Sequence, residues 1–103
     1  MKMYYITLNS LDEAKAVSYA LLESRLAVCT NWFPMTCTYR WEGKIKHEPE
    51  VTLIIKTQAG LREDIEKVIS QHISYTNYMA EIDVCSVNNS FLKWLDAEVP
   101  HSP

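Results

Sequence analysis

From Ala27 to Trp41 the chain is a run of β-forming residues interrupted only at Pro34, and it ends on the block Tyr39-Arg40-Trp41-Glu42-Gly43-Lys44. A strand of that length outreaches what a domain of 103 residues can cover, so it must project as an arm. Proline cannot donate to a central ladder, which predicts a bend or bulge near Phe33-Pro34-Met35. Glu42-Gly43-Lys44 through Pro49 supplies turn residues and charge, so the chain is expected to double back there as a hairpin. Exposed strand edges carrying large aromatics tend to find a partner. Either this arm pairs with a neighbouring copy and bare sheet faces meet inside an oligomer, or Tyr39 and Trp41 fold back onto their own core.

The rest of the chain supplies the other elements of one domain. Met3 to Leu8, rich in aromatic and β-branched residues, reads as a first strand. Ser10-Leu11-Asp12-Glu13 has the form of a capping box, with the serine oxygen placed to accept orphan amides of a first helical turn. Ala14, Val17 and Leu21 continue an apolar stripe at helical spacing, ending near Arg25. Val51 to Thr57 is a strand. Leu61, Ile65, Val68 and Ile69 give a second amphipathic helix ending near His72. Ser74 to Ala80 is polar and aromatic, hence a loop, and Ile82 to Val87 is expected as the fourth strand. Phe91, Leu92, Trp94 and Leu95 predict a short terminal helix before a frayed tail, Pro100 to Pro103. The order β-α-β-β-α-β plus a final helix packs most economically as an α+β, ferredoxin-like sandwich: an antiparallel sheet with both long helices on one face. The other face of that sheet is then bare and must be covered by something.

Composition excludes several functions. The net charge is −3 and no lysine or arginine cluster stands out, which argues against a nucleic-acid partner even though Tyr4 and Tyr5 lie on a central strand. No apolar run is long enough to span a bilayer, and no secretory signal is expected of the short apolar start. Three cysteines without CxxC spacing do not make a disulfide framework and favour a reducing, cytoplasmic setting. Catalysis is not expected. With two glycines the chain has little material for a phosphate loop, and no histidine lies near Cys29 in sequence to hold it as a thiolate. Asp12 with Glu13 reads as a cap, and Glu48 with Glu50 as a solvated turn, rather than as acid/base pairs. Cys29, Cys37, Cys85, His47 and His72 are the conceivable soft metal ligands, at none of the close spacings of a structural zinc site. Cys29 is either a ligand or a small buried hydrophobe.

A family resemblance adds to this reading. Arg25-Leu26-Ala27-Val28-Cys29-Thr30-Asn31, then Pro34, then Tyr39-Arg40-Trp41-Glu42-Gly43-Lys44-Ile45 resembles the signature of the CutA family, the divalent-cation tolerance proteins. The likeness continues through Glu50-Val51 and Leu53-Ile54-Ile55-Lys56-Thr57 to Leu92-x-Trp94-Leu95. It implies the ferredoxin-like fold, a homotrimer with intersubunit strand pairing, an association with copper or another divalent metal, and no established catalysis. On that basis Tyr39, Trp41, Glu42, Lys44, Tyr75, Glu81 and Trp94 are expected at a trimer interface or at a small-molecule pocket beside it, and Cys29 and His72 are the metal candidates. The chain departs from the family where metal is concerned. Members carry His-Pro-Tyr followed by Pro-Glu before the fourth strand, whereas this chain reads His72-Ile73-Ser74-Tyr75-Thr76-Asn77-Tyr78-Met79-Ala80-Glu81. Counting back from Glu81 puts Tyr75 where the histidine belongs, and the first-strand position that is a copper-linked cysteine in some bacterial members is Ile6 here.

Overall fold

Apolar residues at alternate positions of the first and third strands decide where the core lies. Tyr4, Ile6 and Leu8 of β1 (Lys2–Leu8) and Val51, Leu53 and Ile55 of β3 (Lys44–Thr57) are buried. They meet Val17 and Leu21 of α1 (Leu11–Glu23), Ile65 and Ile69 of α2 (Arg62–Ser70), and Leu95 of α3 (Asn89–Glu98) in one hydrophobic cluster. The computed structural model describes residues 1–101; Ser102 and Pro103 of the expected frayed tail lie outside the described residues. With β2 (Cys29–Trp41) and β4 (Met79–Asp83), the strands form one antiparallel sheet in the order β2-β3-β1-β4. This is the ferredoxin-like α+β sandwich with an extra C-terminal helix. Because side chains alternate across a strand, Tyr5 and Thr7 point to the face that carries no helix. Tyr4 is therefore a core residue, and only Tyr5 of that aromatic pair is displayed.

The capping box forms with a shift of one residue. Ser10 Oγ accepts from the Glu13 amide at 3.1 Å, while the Glu13 carboxylate accepts from the amide of Asn9, not of Ser10, at 3.0 Å. At the other end of α1 the amides of Arg25 and Leu26 reach back to the carbonyls of Leu22 and Leu21, a Schellman closure. Arg25 holds the left-handed position, at φ 56°, that glycine usually fills.

Three expectations about the strands are corrected. β2 runs unbroken through Pro34, which pairs opposite Val51. An edge strand allows this, because its outward amides have no ladder partner to lose. The hairpin turn is only Glu42-Gly43, both at positive φ (50° and 76°), so β3 begins at Lys44 and the charged stretch to Pro49 is strand. Two consecutive left-handed residues make the tight connection that matches strand twist, and this is the demand that places glycine at 43. β4 begins at Met79 and ends at Asp83, earlier than Ile82 to Val87. Its register is held by Lys2, which pairs with Asp83 and Glu81, and β1 starts opposite Asp83, so residues beyond find no strand to join. The β2–β3 arm makes the domain long, with extents of 46 × 27 × 21 Å.

Candidate binding cleft

The open face of the sheet is hollowed where the arm leaves the domain. Odd residues of β2 and even residues of β3 share this face, because Met35 stands opposite Glu50, Cys37 opposite Glu48, and Tyr39 opposite Lys46. Together with Tyr5 and Thr7 of β1, Asn9, and the loop from Tyr75 to Tyr78, Met35, Cys37, Tyr39, Trp41, Glu48 and Glu50 line a cavity of about 730 Å³. Its floor is tied together through Thr52, whose hydroxyl donates to Met35 Sδ at 2.7 Å and lies 3.2 Å from the Tyr5 hydroxyl. Tyr5 and Tyr78 meet edge to face, with ring centroids 6.0 Å apart.

The loop on the far wall is latched to the strand and helix beside it. The Thr7 amide donates to the Tyr78 carbonyl at 3.1 Å, the Tyr78 amide donates to Thr7 Oγ1 at 3.2 Å, and Asn77 Nδ2 donates to the Thr7 carbonyl at 3.2 Å. The Tyr75 hydroxyl donates to Glu13 Oε1 at 2.8 Å and accepts from the Asn9 amide at 2.9 Å. So the carboxylate that completes the α1 cap also fixes the loop.

Three titratable groups of the wall, Cys37, Tyr39 and Tyr75, are shifted toward their neutral forms. Burial, and secondly the Glu13 carboxylate, pushes the Tyr75 phenol up to about 12. The Glu48 carboxylate beside Tyr39 favours its protonated phenol, and Glu50 does the same for the Cys37 thiol. For Tyr75 the folded pKa lies above the ordinary value of about 10. Its contribution to stability is fully present below that pH and is lost as pH rises toward 12. Wild-type stability is therefore expected to fall more steeply than that of Tyr75→Phe across this window in denaturant titrations. Parallel curves would contradict the latch.

Of the residues expected at an interface or pocket, Tyr39, Trp41 and Tyr75 come together here. Lys44 stands opposite Trp41 on the same face but beyond the cavity wall, and Glu42 is spent on the turn. Glu81 is displaced from this group: it is on the helix side of the sheet, accepting from the Tyr4 hydroxyl at 2.6 Å with Lys2 Nζ at 3.7 Å. Trp94 is elsewhere too, edge-on to Phe91 at 5.5 Å and lining a separate hollow of about 390 Å³ with Leu22, Glu23, Arg25, Ala27, Val28 and Glu98. The alternation of β2, visible in Tyr39 and Trp41, extends back to Cys37 and Met35. Glu48 and Glu50, read as a solvated turn, belong to the wall by strand register alone.

The metal candidates do not converge. The Cys29 sulfur has Thr30 O and Asn31 Oδ1 at 4.0 Å as its polar neighbours, and it stands cross-strand from the cation Lys56. His72 is exposed, with Nδ1–H donating to the Val68 carbonyl at 3.0 Å. Among the described residues no group of three His, Cys, Asp or Glu is placed to hold a metal ion. Nor is any described helix long and apolar enough to cross a membrane.

Comparison with known proteins places this fold and sequence together. Residues 2–98 match the family described as CutA1 divalent ion tolerance protein. The divalent-cation tolerance protein CutA of Archaeoglobus fulgidus is 35% identical over 96 residues, covering 92% of this chain and 94% of that one. The crystal structure of CutA1 from Pyrococcus horikoshii superposes with a TM-score of 0.89 at 35% identity, over 96% of this chain and 98% of the other. A structure from Archaeoglobus fulgidus, described as a periplasmic divalent cation tolerance protein CutA, gives 0.90 at 34% identity, over 95% and 98%. The chain belongs to the CutA1 divalent ion tolerance family.

Proposed function

We propose that this member of the divalent ion tolerance family works as a non-catalytic binding module, assembled as a homotrimer, with any ligand seat where the cleft beside the arm meets the neighbouring copy. The observation that carries this reading is the open sheet face. Phe33, Trp41, Tyr78 and Ile82 leave 46%, 55%, 60% and 38% of their surface exposed on it, and large apolar side chains gathered on one face are the mark of a protein–protein contact. The sheet also ends in two unlike edges, β2 with thirteen residues and β4 with five. Pairing β2 of one copy with β4 of the next is a head-to-tail contact, the kind that forms a ring where its rotation closes, and a closed ring would turn the open faces inward. The CutA resemblance supports a ring of three. The absence of catalysis rests on the wall chemistry: among the described residues no histidine lines the cleft, and the Cys37 thiol and the phenols of Tyr39 and Tyr75 are shifted toward their protonated forms.

Hydrogen exchange tests the edge pairing. The outward amides of Trp32 to Trp41 have no partner within one protomer, so pairing across copies predicts slow exchange for them. Exchange at the rate of an open edge would remove the proposed contact.

A further inference from the structure

We propose that the hollow between the ends of α1 and α3 is a second binding site, one for a free α-amino acid with an apolar side chain. It is separate from the cleft and does not depend on it. The hollow is built from the last residues of the two helices and the two residues before β2, so it lies in the helix layer and not on the open sheet face. It is also at the opposite end of β2 from the hairpin turn. The edge contact proposed above uses Trp32 to Trp41 and leaves this end of the chain outside it. Ala27 and Val28, both buried, make an apolar floor, and Leu22 and Trp94, 40% and 45% exposed, stand beside it as walls. Three charged side chains complete the lining: Glu23, Glu98 and Arg25. Among the described residues none of the three makes an ion pair, so both signs of charge are free beside one apolar floor.

Arg25 is held in an uncommon backbone state. Its φ of 56° is the left-handed conformation that glycine adopts freely and a long side chain does not. The closure of α1 fixes it there, with the amides of Arg25 and Leu26 donating to the carbonyls of Leu22 and Leu21 at 3.1 and 2.9 Å. No ion pair within the chain offsets that strain, which points to a use of the guanidinium outside the fold. A guanidinium holds a carboxylate by two parallel hydrogen bonds. An acid alone would meet Glu23 and Glu98, and the negative ends of α1 and α3, which terminate at those residues. An amine alone would meet Arg25. An amino acid offers its carboxylate to Arg25 and its ammonium to the two glutamates, while its side chain covers Leu22 and the Trp94 indole. At about 390 Å³ the hollow has room for one such molecule and lies toward the lower end of small-molecule sites. The first and last blocks of the CutA resemblance, which hold Arg25 and Trp94, meet here.

The test uses the full chain as it assembles in solution and three probes of one shape: L-leucine, isoamylamine, which lacks the carboxylate, and isocaproate, which lacks the ammonium. Binding is followed by titration calorimetry and by the Trp94 indole N–H resonance. Leucine is expected to bind at least about tenfold more tightly than either of the others. Arg25→Gly is expected to weaken leucine at least about tenfold while raising the urea midpoint, because glycine relieves the left-handed position. Arg25→Lys, which keeps the charge without the fork, is expected to weaken it less. Glu23→Gln/Glu98→Gln is expected to narrow the preference for leucine over isocaproate, and Trp94→Phe to cost far less affinity than Trp94→Ala. Equal binding of leucine and either single-charge probe would overturn the amino-acid class. Leucine affinity unchanged in Arg25→Gly, or a urea midpoint that falls in that variant, would assign the side chain to the fold and not to a ligand. A change of assembly mass in Trp94→Ala would make the hollow a contact between copies, and no binding of any probe would remove the site.

Discussion

Leu53→Ala is expected to lower the stability of the protomer by about 2–5 kcal/mol, the range for a buried leucine whose cavity cannot collapse. Leu53 has no exposed surface. It stands in the middle of β3, opposite Ile6 on β1 and opposite Trp32 on β2, so two neighbouring strands fix the backbone around it. The helices above are held in turn by Val17, Leu21, Ile65 and Leu95, all fully buried. With walls that rigid the surroundings relax little, and the lost contacts are not recovered. Leu11→Ala supplies the control: Leu11 is half exposed, and its truncation is expected to change stability by less than about 1 kcal/mol. Urea unfolding of the two variants checks this. Equal midpoints would mean that the sheet–helix core does not carry the fold.

Phe33→Asp is expected to have the larger consequence for assembly. Phe33 lies on the open face, opposite Thr52 and away from the helical core, and 46% of it is exposed in the protomer. If this face turns inward in a ring, the substitution buries a carboxylate with no cation across from it on β3. A buried, unpaired charge costs several kcal/mol, and the ring would meet that cost once per copy. The protomer itself loses little, because an aspartate there stays in water. Light scattering is therefore expected to show monomers, and circular dichroism a retained fold. An oligomer as resistant to dilution as the parent would place the contact on another surface.

What could be read from the sequence, and what could not, follows the range of the interactions involved. β1, α1 and the β-α-β-β-α-β order were legible because each is written locally: alternation from Met3 to Leu8, a serine cap before a helical stripe, and an apolar run from Val51 to Thr57. The length of β3 was not. Glu48, Pro49 and Glu50 look like turn material, and become strand only because Thr36 of the preceding edge strand lies opposite Pro49 and its neighbours follow in register. Pro34 misled for a related reason, since its missing amide matters in a central strand and not at an edge. The cleft needed register as well. Tyr39, Trp41 and Tyr75 stood out as aromatic residues, but Met35, Cys37, Glu48 and Glu50 join them only once two strands are paired. Glu81 shows the converse. It is six residues from Tyr75 and belongs to the opposite side of the sheet, because strand parity, not sequence distance, assigns its face. The metal expectation arose from the family, and the positions that carry it are those where this chain differs, Ile6 and the segment from His72 to Glu81.

The bare sheet face, the unlike edges and the long arm all find their partner in the proposed assembly. Static light scattering of the wild-type chain across a dilution series to low micromolar concentration tests it most directly. A homotrimer gives a mass three times that of one chain, unchanged on dilution. A single-chain mass at every concentration would contradict it.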